Sequence, residues 1–309
     1  MDMASISERD RILSQLKEPM PRRAEIVENW RAQIEQGIPI IYAGCSAGIV
    51  ARYAELTGID AIVVYETGLS RHWGMPTTML ADPNRWSFPM YEEIRSQVDK
   101  TPLIAGVEAY DPRFRGERGL RRMVRTVIEM GYDGIQNFPT LVFIPPTYKL
   151  RDPVGMGWER EVELVALCNE LDVFTMWYAC TPEQAQDVAR AGADAIVPHA
   201  GWSSGGKVGA PTTERYPNTM ITPIKDLDVA CRHVQAITDA ARAINPKIIS
   251  LSHGGPFIDI PAVTYMFEHT TTDGFEAASA WERVPVENAL TDVISRFRAV
   301  KKLRKKRAA

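Results

Sequence analysis

The chain has 309 residues, 45% of them hydrophobic, 24% charged and 8% aromatic, the balance of a globular protein with apolar side chains for a large core. Its 36 basic and 39 acidic residues leave a formal charge of −3, so no net field draws it to nucleic acid or to an anionic membrane, and neither is an expected partner. No apolar run reaches the about 18 residues that cross a bilayer, and the opening MDMASISERDRILSQLKEP is charged where a secretion signal is apolar. Cys45, Cys168, Cys180 and Cys231 are spaced too widely for a zinc knuckle or a disulfide framework, so a cytoplasmic protein with buried thiols is expected.

Residues 1–37 read as a helical extension that covers the barrel bottom or a neighbouring subunit. Strands are then expected at 38–43, 60–65, 102–107, 133–137, 172–178, 194–199, 247–252 and 273–278, near-continuous apolar runs of the kind covered on both faces. Helical periodicity fills 46–57, 116–130, 156–170, 182–191, 227–243, 260–269 and 286 to about 305. Thr181-Pro182-Glu183 combines an N-cap with a first-turn proline, and Gly58, Gly131 and Gly192 close three helices. Eight strands joined by crossovers predict a closed (β/α)8 TIM barrel; a doubly wound sheet has fewer strands and a glycine-rich first turn.

The phrases G-I-D-A-I-V-V-Y, G-Y-D-G-I-Q-N and G-A-D-A-I-V-P-H repeat one joint, a helix-ending glycine followed by aspartate and an apolar strand. No proline- or serine-rich linker divides the chain, so one domain over 1–309 is expected: the extension, a barrel over 38–285, and a last helix with a basic tail over 286–309. The bases of VKKLRKKRAA suit the negative end of that helix. The segments 66–92, 138–157 and 200–224 are long enough to act as lids.

In such a barrel the chemistry sits after the C-terminal ends of the strands. Gly205 and Gly206 in H-A-G-W-S-S-G-G-K, and Gly254 and Gly255 in S-H-G-G-P-F, let backbone N–H groups approach an anion; tight turns with positive φ explain the same pairs equally well. His199 and His253 end adjacent strands about 4.8 Å apart and can share one substrate oxygen or metal. His233 and His269 fall within helices and are expected to face solvent or cap. Glu66, Glu108 and Asp111 can hold Mg2+ or supply a general base, or else pair with Arg71 and Arg113. Arg71, Asn137 and Ser279 complete the polar rim, Arg71 as an anion holder and Asn137 as an orienter.

The motifs G-I-Q-N-F-P-T at 134–140, G-M-G-W-E-R-E-V-E at 155–163, G-A-D-A-I-V-P-H at 192–199, L-S-H-G-G-P at 251–256 and A-S-A-W-E-R-V-P at 278–285 give the chain a specific resemblance over about residues 22–300. It resembles the phosphoenolpyruvate hydrolase-like family, described as TIM-barrel signal-transduction proteins and related to the isocitrate lyase and phosphoenolpyruvate mutase enzymes. Residues 46–70 are similar to the first βαβ unit of that superfamily, which contributes to binding a 2-oxo acid. The resemblance implies bond cleavage next to the carbonyl of a small 2-oxo acid, through an enolate stabilised by Mg2+ and backbone donors. It also implies that the amides of Cys45, Ser46 and Ala47 face the carboxylate and that Glu108 stands among the metal-binding acids.

The sequence departs from that superfamily. Its paired aspartates after strand three appear as Gly106 and Glu108, its glutamate after strand four as Phe138, and its K-x-C-G-H loop is absent. Three outcomes stay open: Mg2+ held by Glu108 and water, a different site built on His199 and His253, or loss of the metal; no organic cofactor is expected. The expected function is a hydrolase or lyase that cleaves a C–C, C–P or enol-phosphate bond of a small anionic substrate, with Glu108, His199, His253 and Asn137 as catalytic groups. Cys45, Ser46, Ala47, Glu66, Arg71, Gly205, Gly206, Gly254, Gly255 and Ser279 are the expected substrate-binding residues. The alternative is a non-catalytic barrel that binds a small anion in signalling. A Schiff-base aldolase is disfavoured because no lysine falls at a strand end, and assembly into a homo-oligomer is expected by analogy.

Overall fold

The structure is a computed structural model that describes residues 23–75, 77, 79–138, 140, 142, 149–204 and 224–301. Eight parallel strands close a barrel in chain order: β1 (Ile40–Cys45), β2 (Ala61–Val64), β3 (Leu103–Gly106), β4 (Gly134–Gln136), β5 (Phe174–Ala179), β6 (Ala195–Pro198), β7 (Ile249–His253) and β8 (Gly274–Ala277). β1 starts and ends two residues later than its apolar run. Pro39 has no N–H for the ladder, and pairing with β2 continues through Gly44 and Cys45.

Alternation sorts the strand side chains into two layers. Tyr42, Val63, Ile104, Phe174, Met176, Tyr178, Val197 and Leu251 fill the barrel, while Ala43, Cys45, Ile62, Val64, Leu103, Ile135 and Trp177 pack against the surrounding helices. Those helices are α2 (Gly48–Leu56), α6 (Gly116–Met130), α7 (Trp158–Glu170), α8 (Pro182–Ala191), α9 (Leu227–Ile244) and α10 (Ile260–His269), close to the periodic segments of the sequence. Thr181 Oγ1 accepts the Gln184 N–H, and Gly131 and Gly192 end α6 and α8 at φ +104° and +93°.

The extension contributes α1 (Arg23–Glu35), which closes the bottom of its own barrel. Its buried Trp30 meets Tyr42 and Phe174 edge-on, with ring centroids 6.2 and 5.3 Å away. Arg31 and Gln33 donate to the carbonyls of Lys247 and Pro39, just before β7 and β1.

The repeated aspartate has a hydrogen-bonding reason. Asp60, Asp133 and Asp194, each just before an even-numbered strand, accept the N–H of Ile41, Leu103 and Thr175 at the start of the preceding strand, at 2.7, 3.0 and 3.0 Å. Asp273 does the same for Ser250 at 2.8 Å, a fourth instance outside the glycine pattern. Each supplies an acceptor where the ladder begins.

The segment 66–92 differs from the long loop expected. It holds α3 (Thr67–His72) and α4 (Pro83–Ser87), and α5 (Met90–Arg95) follows at once; all are too short to show a helical period. Of the other two segments, residues 139, 141, 143–148 and 205–223 lie outside the described residues. After β8 come α11 (Ser279–Glu282) and α12 (Val284–Ala299), which starts two residues before the expected 286. The tail beyond residue 301 lies outside the described residues.

Candidate functional site

At the C-terminal mouth, the chain leaving β6 and the chain leaving β7 run together. His199 bridges His253, Ala200 N donates to His253 O at 2.9 Å, and Gly255 N donates to Gly201 O at 2.7 Å. Gly254 and Gly255 have φ of +81° and +55°, and a Cβ on them would fall 2.1 Å from Gly201 O and 2.7 Å from Ala200 O. These glycines serve close backbone approach, and the Gly255 N–H, expected to face an anion, is donated within the protein. Gly205 and Gly206 lie outside the described residues.

The approach sets the two imidazoles 4.6 Å apart between ring centroids, both buried. Gly201 N donates to His199 Nδ1 at 3.0 Å, so this nitrogen carries no proton and neutral His199 is an Nε2–H donor. His253 Nδ1 lies 2.7 Å from the Glu276 carbonyl, which only accepts, so Nδ1 carries the proton and Nε2 presents a lone pair. Burial lowers both basicities. His199 falls well below the ordinary histidine value, with His253 and His233 adding to the effect, and His253 falls to about 4. The two neutral imidazoles are therefore of opposite tautomer, with the proton on Nε2 in His199 and on Nδ1 in His253. His233, expected at the surface, is half-buried with Nε2 3.2 Å from His199 O.

Beneath them, the Tyr178 ring lies 5.1 Å from His199 and 5.5 Å from His253, centroid to centroid, and its hydroxyl donates to Glu276. Glu276 also accepts Gln136 Nε2 at 3.0 Å, and Gln136 accepts Tyr42 OH at 2.9 Å. This layer crosses the barrel interior, and burial raises the Glu276 carboxyl to about 8, so it is largely protonated at neutral pH.

Across the mouth stands Arg71, buried on α3. Its Nη2 and Nε meet Glu282 Oε2 at 2.6 and 3.2 Å, and Nη1 donates to Thr77 at 3.0 Å. Glu282 also accepts Ser46 Oγ and Tyr65 OH, both at 2.6 Å. A Cβ on Gly68 would fall 2.0 Å from Ser46 Oγ, so only glycine lets α3 approach this cluster. Arg71, Thr67, Thr77, Met79, Phe138, Thr140, His199, Trp202, Ser203, His253, Ala278 and Ser279 line a cavity at this mouth.

The other expected residues stand apart from this lining. Asn137 is fully buried: its Oδ1 accepts the Tyr178 N–H at 2.7 Å, and its Nδ2 bonds Glu161 and Tyr178 O. It ties β4 to β5, and this residue, expected to be catalytic, is not among those lining the cavity. Cys45 points into the helix layer, its thiol pushed far up by burial. Glu66 accepts Thr67 Oγ1 at 3.0 Å, and burial raises it to about 8. Glu108 follows β3 at the same end of the barrel, half-buried, and does not line the cavity; burial raises its carboxyl, opposed by Arg151. Asp111 pairs with Arg113 at 2.7 Å.

Sequence reasoning missed Glu276, Glu161 and Thr77. Glu276 had a signal, one acid in the otherwise apolar strand G-F-E-A. Glu161, which accepts from Tyr110, Thr140, Asn137 and Trp177, lies on α7 among ordinary helix acids and had none.

These residues do not fit the Mg2+ of the wider superfamily. Among the described residues no carboxylate lines the cavity, and no three His, Cys, Asp or Glu side chains gather around one point. A Cβ on Gly106 would lie 2.5 Å from Phe138 O and 2.8 Å from Tyr65 Cβ, so no acidic side chain fits there. Tyr65 and Phe138 stack with centroids 3.9 Å apart.

The fold has close counterparts among solved structures. Phosphonopyruvate hydrolase, crystallised with oxalate and Mg2+, superposes with a TM-score of 0.55 at 17% identity, covering 88% of this chain and 87% of that one. Oxaloacetate acetylhydrolase gives 0.55 at 16%, covering 91% and 88%. In sequence, the ToMV susceptible protein tm-1(GCR26) of Solanum lycopersicum is 35% identical over 289 residues, which are 92% of this chain and 36% of the tomato protein. The chain thus spans about a third of the length of that relative. Residues 25–300 match the family description across barrel and mouth alike, and the chain belongs to the phosphoenolpyruvate hydrolase-like family.

Proposed function

We propose that the cavity binds a small anionic 2-oxo-acid-like substrate and that the protein is a hydrolase or lyase cleaving a C–C, C–P or enol-phosphate bond of it through a stabilised enolate. The observation that carries this reading is the pair His199 and His253, neutral and of opposite tautomer, facing one cavity with Arg71. His253 Nε2 takes a proton from the attacking water or substrate hydroxyl. His199 Nε2–H meets the oxygen on which enolate charge develops. Arg71 and the hydroxyls of Thr77 and Ser279 orient the carboxylate. Asn137 holds β4 and β5 in register behind the site.

Support also comes from the family and from the barrel shared with phosphonopyruvate hydrolase and oxaloacetate acetylhydrolase. The test is a thermal-shift titration with pyruvate, oxalate and phosphonopyruvate, followed by assay of turnover. A rise in Tm with at least one acid is expected, and no shift with any of them overturns the assignment. That no carboxylate among the described residues lines the cavity favours a second reading, a barrel that binds the anion without turning it over. Turnover that is lost in His253→Ala while binding and folding persist eliminates that reading.

Assembly of two copies is part of the proposal. No residue of α12 is buried, and Leu290, Val293, Ile294 and Phe297 form an exposed stripe at i, i+3, i+4 and i+7. An apolar groove lined by Ile49 and Tyr53 of α2, with Trp281, Pro285 and Val286, opens beside it. Each copy offers one helix and one groove, the reciprocal arrangement that closes a two-fold dimer.

A further inference from the structure

We infer that this site holds its anion without a divalent cation, through a guanidinium whose geometry is set by Glu282. This rests on the assignment of the cavity to a small anionic acid. Mg2+ takes hard oxygen ligands in a near-octahedral set, with at least one or two carboxylates from the protein. Among the described residues, five acids at this end of the barrel are bonded within the protein, and Glu108 does not line the cavity. Glu282 is bonded by Arg71, Ser46 and Tyr65; Glu161 by Tyr110, Thr140, Asn137 and Trp177; Glu276 by Tyr178 and Gln136. Asp111 is held by Arg113 and Asn84, and Glu66 by Thr67 and Leu80 N.

The room itself has been taken. Stacked Tyr65 and Phe138 press on Gly106, and a side chain there would meet backbone oxygen. In place of a cation the cavity wall carries Arg71, whose Nη1 lies 3.0 Å from Thr77 Oγ1 with Ser279 Oγ 3.5 Å beyond. Glu282 takes Nη2 and Nε, so the fork is fixed and its remaining edge faces the site. Glu282 is thus a positioning residue that acts through Arg71.

Calorimetric titration of the full chain tests this. Oxalate is titrated in EDTA; pyruvate, a weak chelator, is titrated in EDTA and in Mg2+; Mg2+ is titrated alone. We expect both acids to bind in EDTA, pyruvate to bind within twofold with and without Mg2+, and Mg2+ alone to give no saturable heat. Arg71→Lys should weaken oxalate at least tenfold, and Glu282→Gln should weaken it less while leaving the fold intact by circular dichroism. Binding that appears only with Mg2+ overturns the inference and spares the assignment of the cavity. Absence of binding in every buffer overturns both. Full affinity in folded Arg71→Lys also refutes the inference.

Discussion

His199 and His253 are neighbours of opposite polarity: Nδ1 of the first accepts the Gly201 N–H, whereas Nδ1 of the second donates to the Glu276 carbonyl. The far nitrogens are therefore a protonated nitrogen and a lone pair, each set by the backbone group that Nδ1 meets. His253→Ala removes the acceptor, and a loss of about 10²- to 10⁴-fold in turnover is expected, the range of a general base. Because His253 stays neutral down to about pH 4, its titration should leave the rate flat between pH 6 and 8. A break near 6.5 that vanishes in His253→Ala would refute the assignment.

Arg71 and Glu282 are both buried, at 1% and 0% side-chain exposure. Glu282→Ala leaves the guanidinium buried and unpaired, at an expected cost of about 3–5 kcal/mol in urea unfolding. Glu282→Gln keeps an acceptor for Arg71 and should cost clearly less. Equal losses from both variants would argue that the charge alone matters.

Glu276 is raised to about 8 by burial, above the ordinary glutamate value. Its contribution to stability is complete below that ordinary value and fades as pH rises through about 8, because the unfolded chain releases the proton first. The histidines act on the other limb: their values are depressed, so stability falls as pH drops below the ordinary histidine value. Tm should decline from pH 7 to 9, and Glu276→Gln should flatten that decline. An unchanged slope in the variant counts against a protonated Glu276.

Gly254→Ala places a Cβ 2.1 Å from Gly201 O at φ +81°. A cost of about 1–3 kcal/mol or more is expected from backbone strain. Gly74, also at positive φ but with nothing within 4 Å of a Cβ, provides the control for φ alone. Gly254→Ala should lower both Tm and oxalate affinity, whereas Gly74→Ala should lower Tm slightly and leave affinity intact.

Phe297 is 75% exposed on α12. Light scattering on the wild type should report a dimer or larger assembly, and Leu290→Asp with Phe297→Asp should yield a folded monomer. A wild type that is monomeric at micromolar concentration would refute assembly through this helix.

Eight apolar runs, their helical crossovers and the caps at Thr181, Gly131 and Gly192 were legible because each depends on neighbours within one turn or one strand. The aspartate repeat was legible as a pattern, and the structure supplied its reason in the N–H of Ile41, Leu103 and Thr175. His199 and His253 were legible as a pair because adjacent parallel strands must end side by side.

What the side chains around that pair do was decided in three dimensions. Asn137 looks like a catalytic amide in one dimension, yet it is bonded to Tyr178, 41 positions away. Arg71 looks like a free anion holder, yet Glu282 lies 211 positions on. Strand phase sends Cys45 outward and Glu276 inward. Local periodicity encodes burial and hydrogen-bond capacity, whereas closure of the ring chooses which capacities meet.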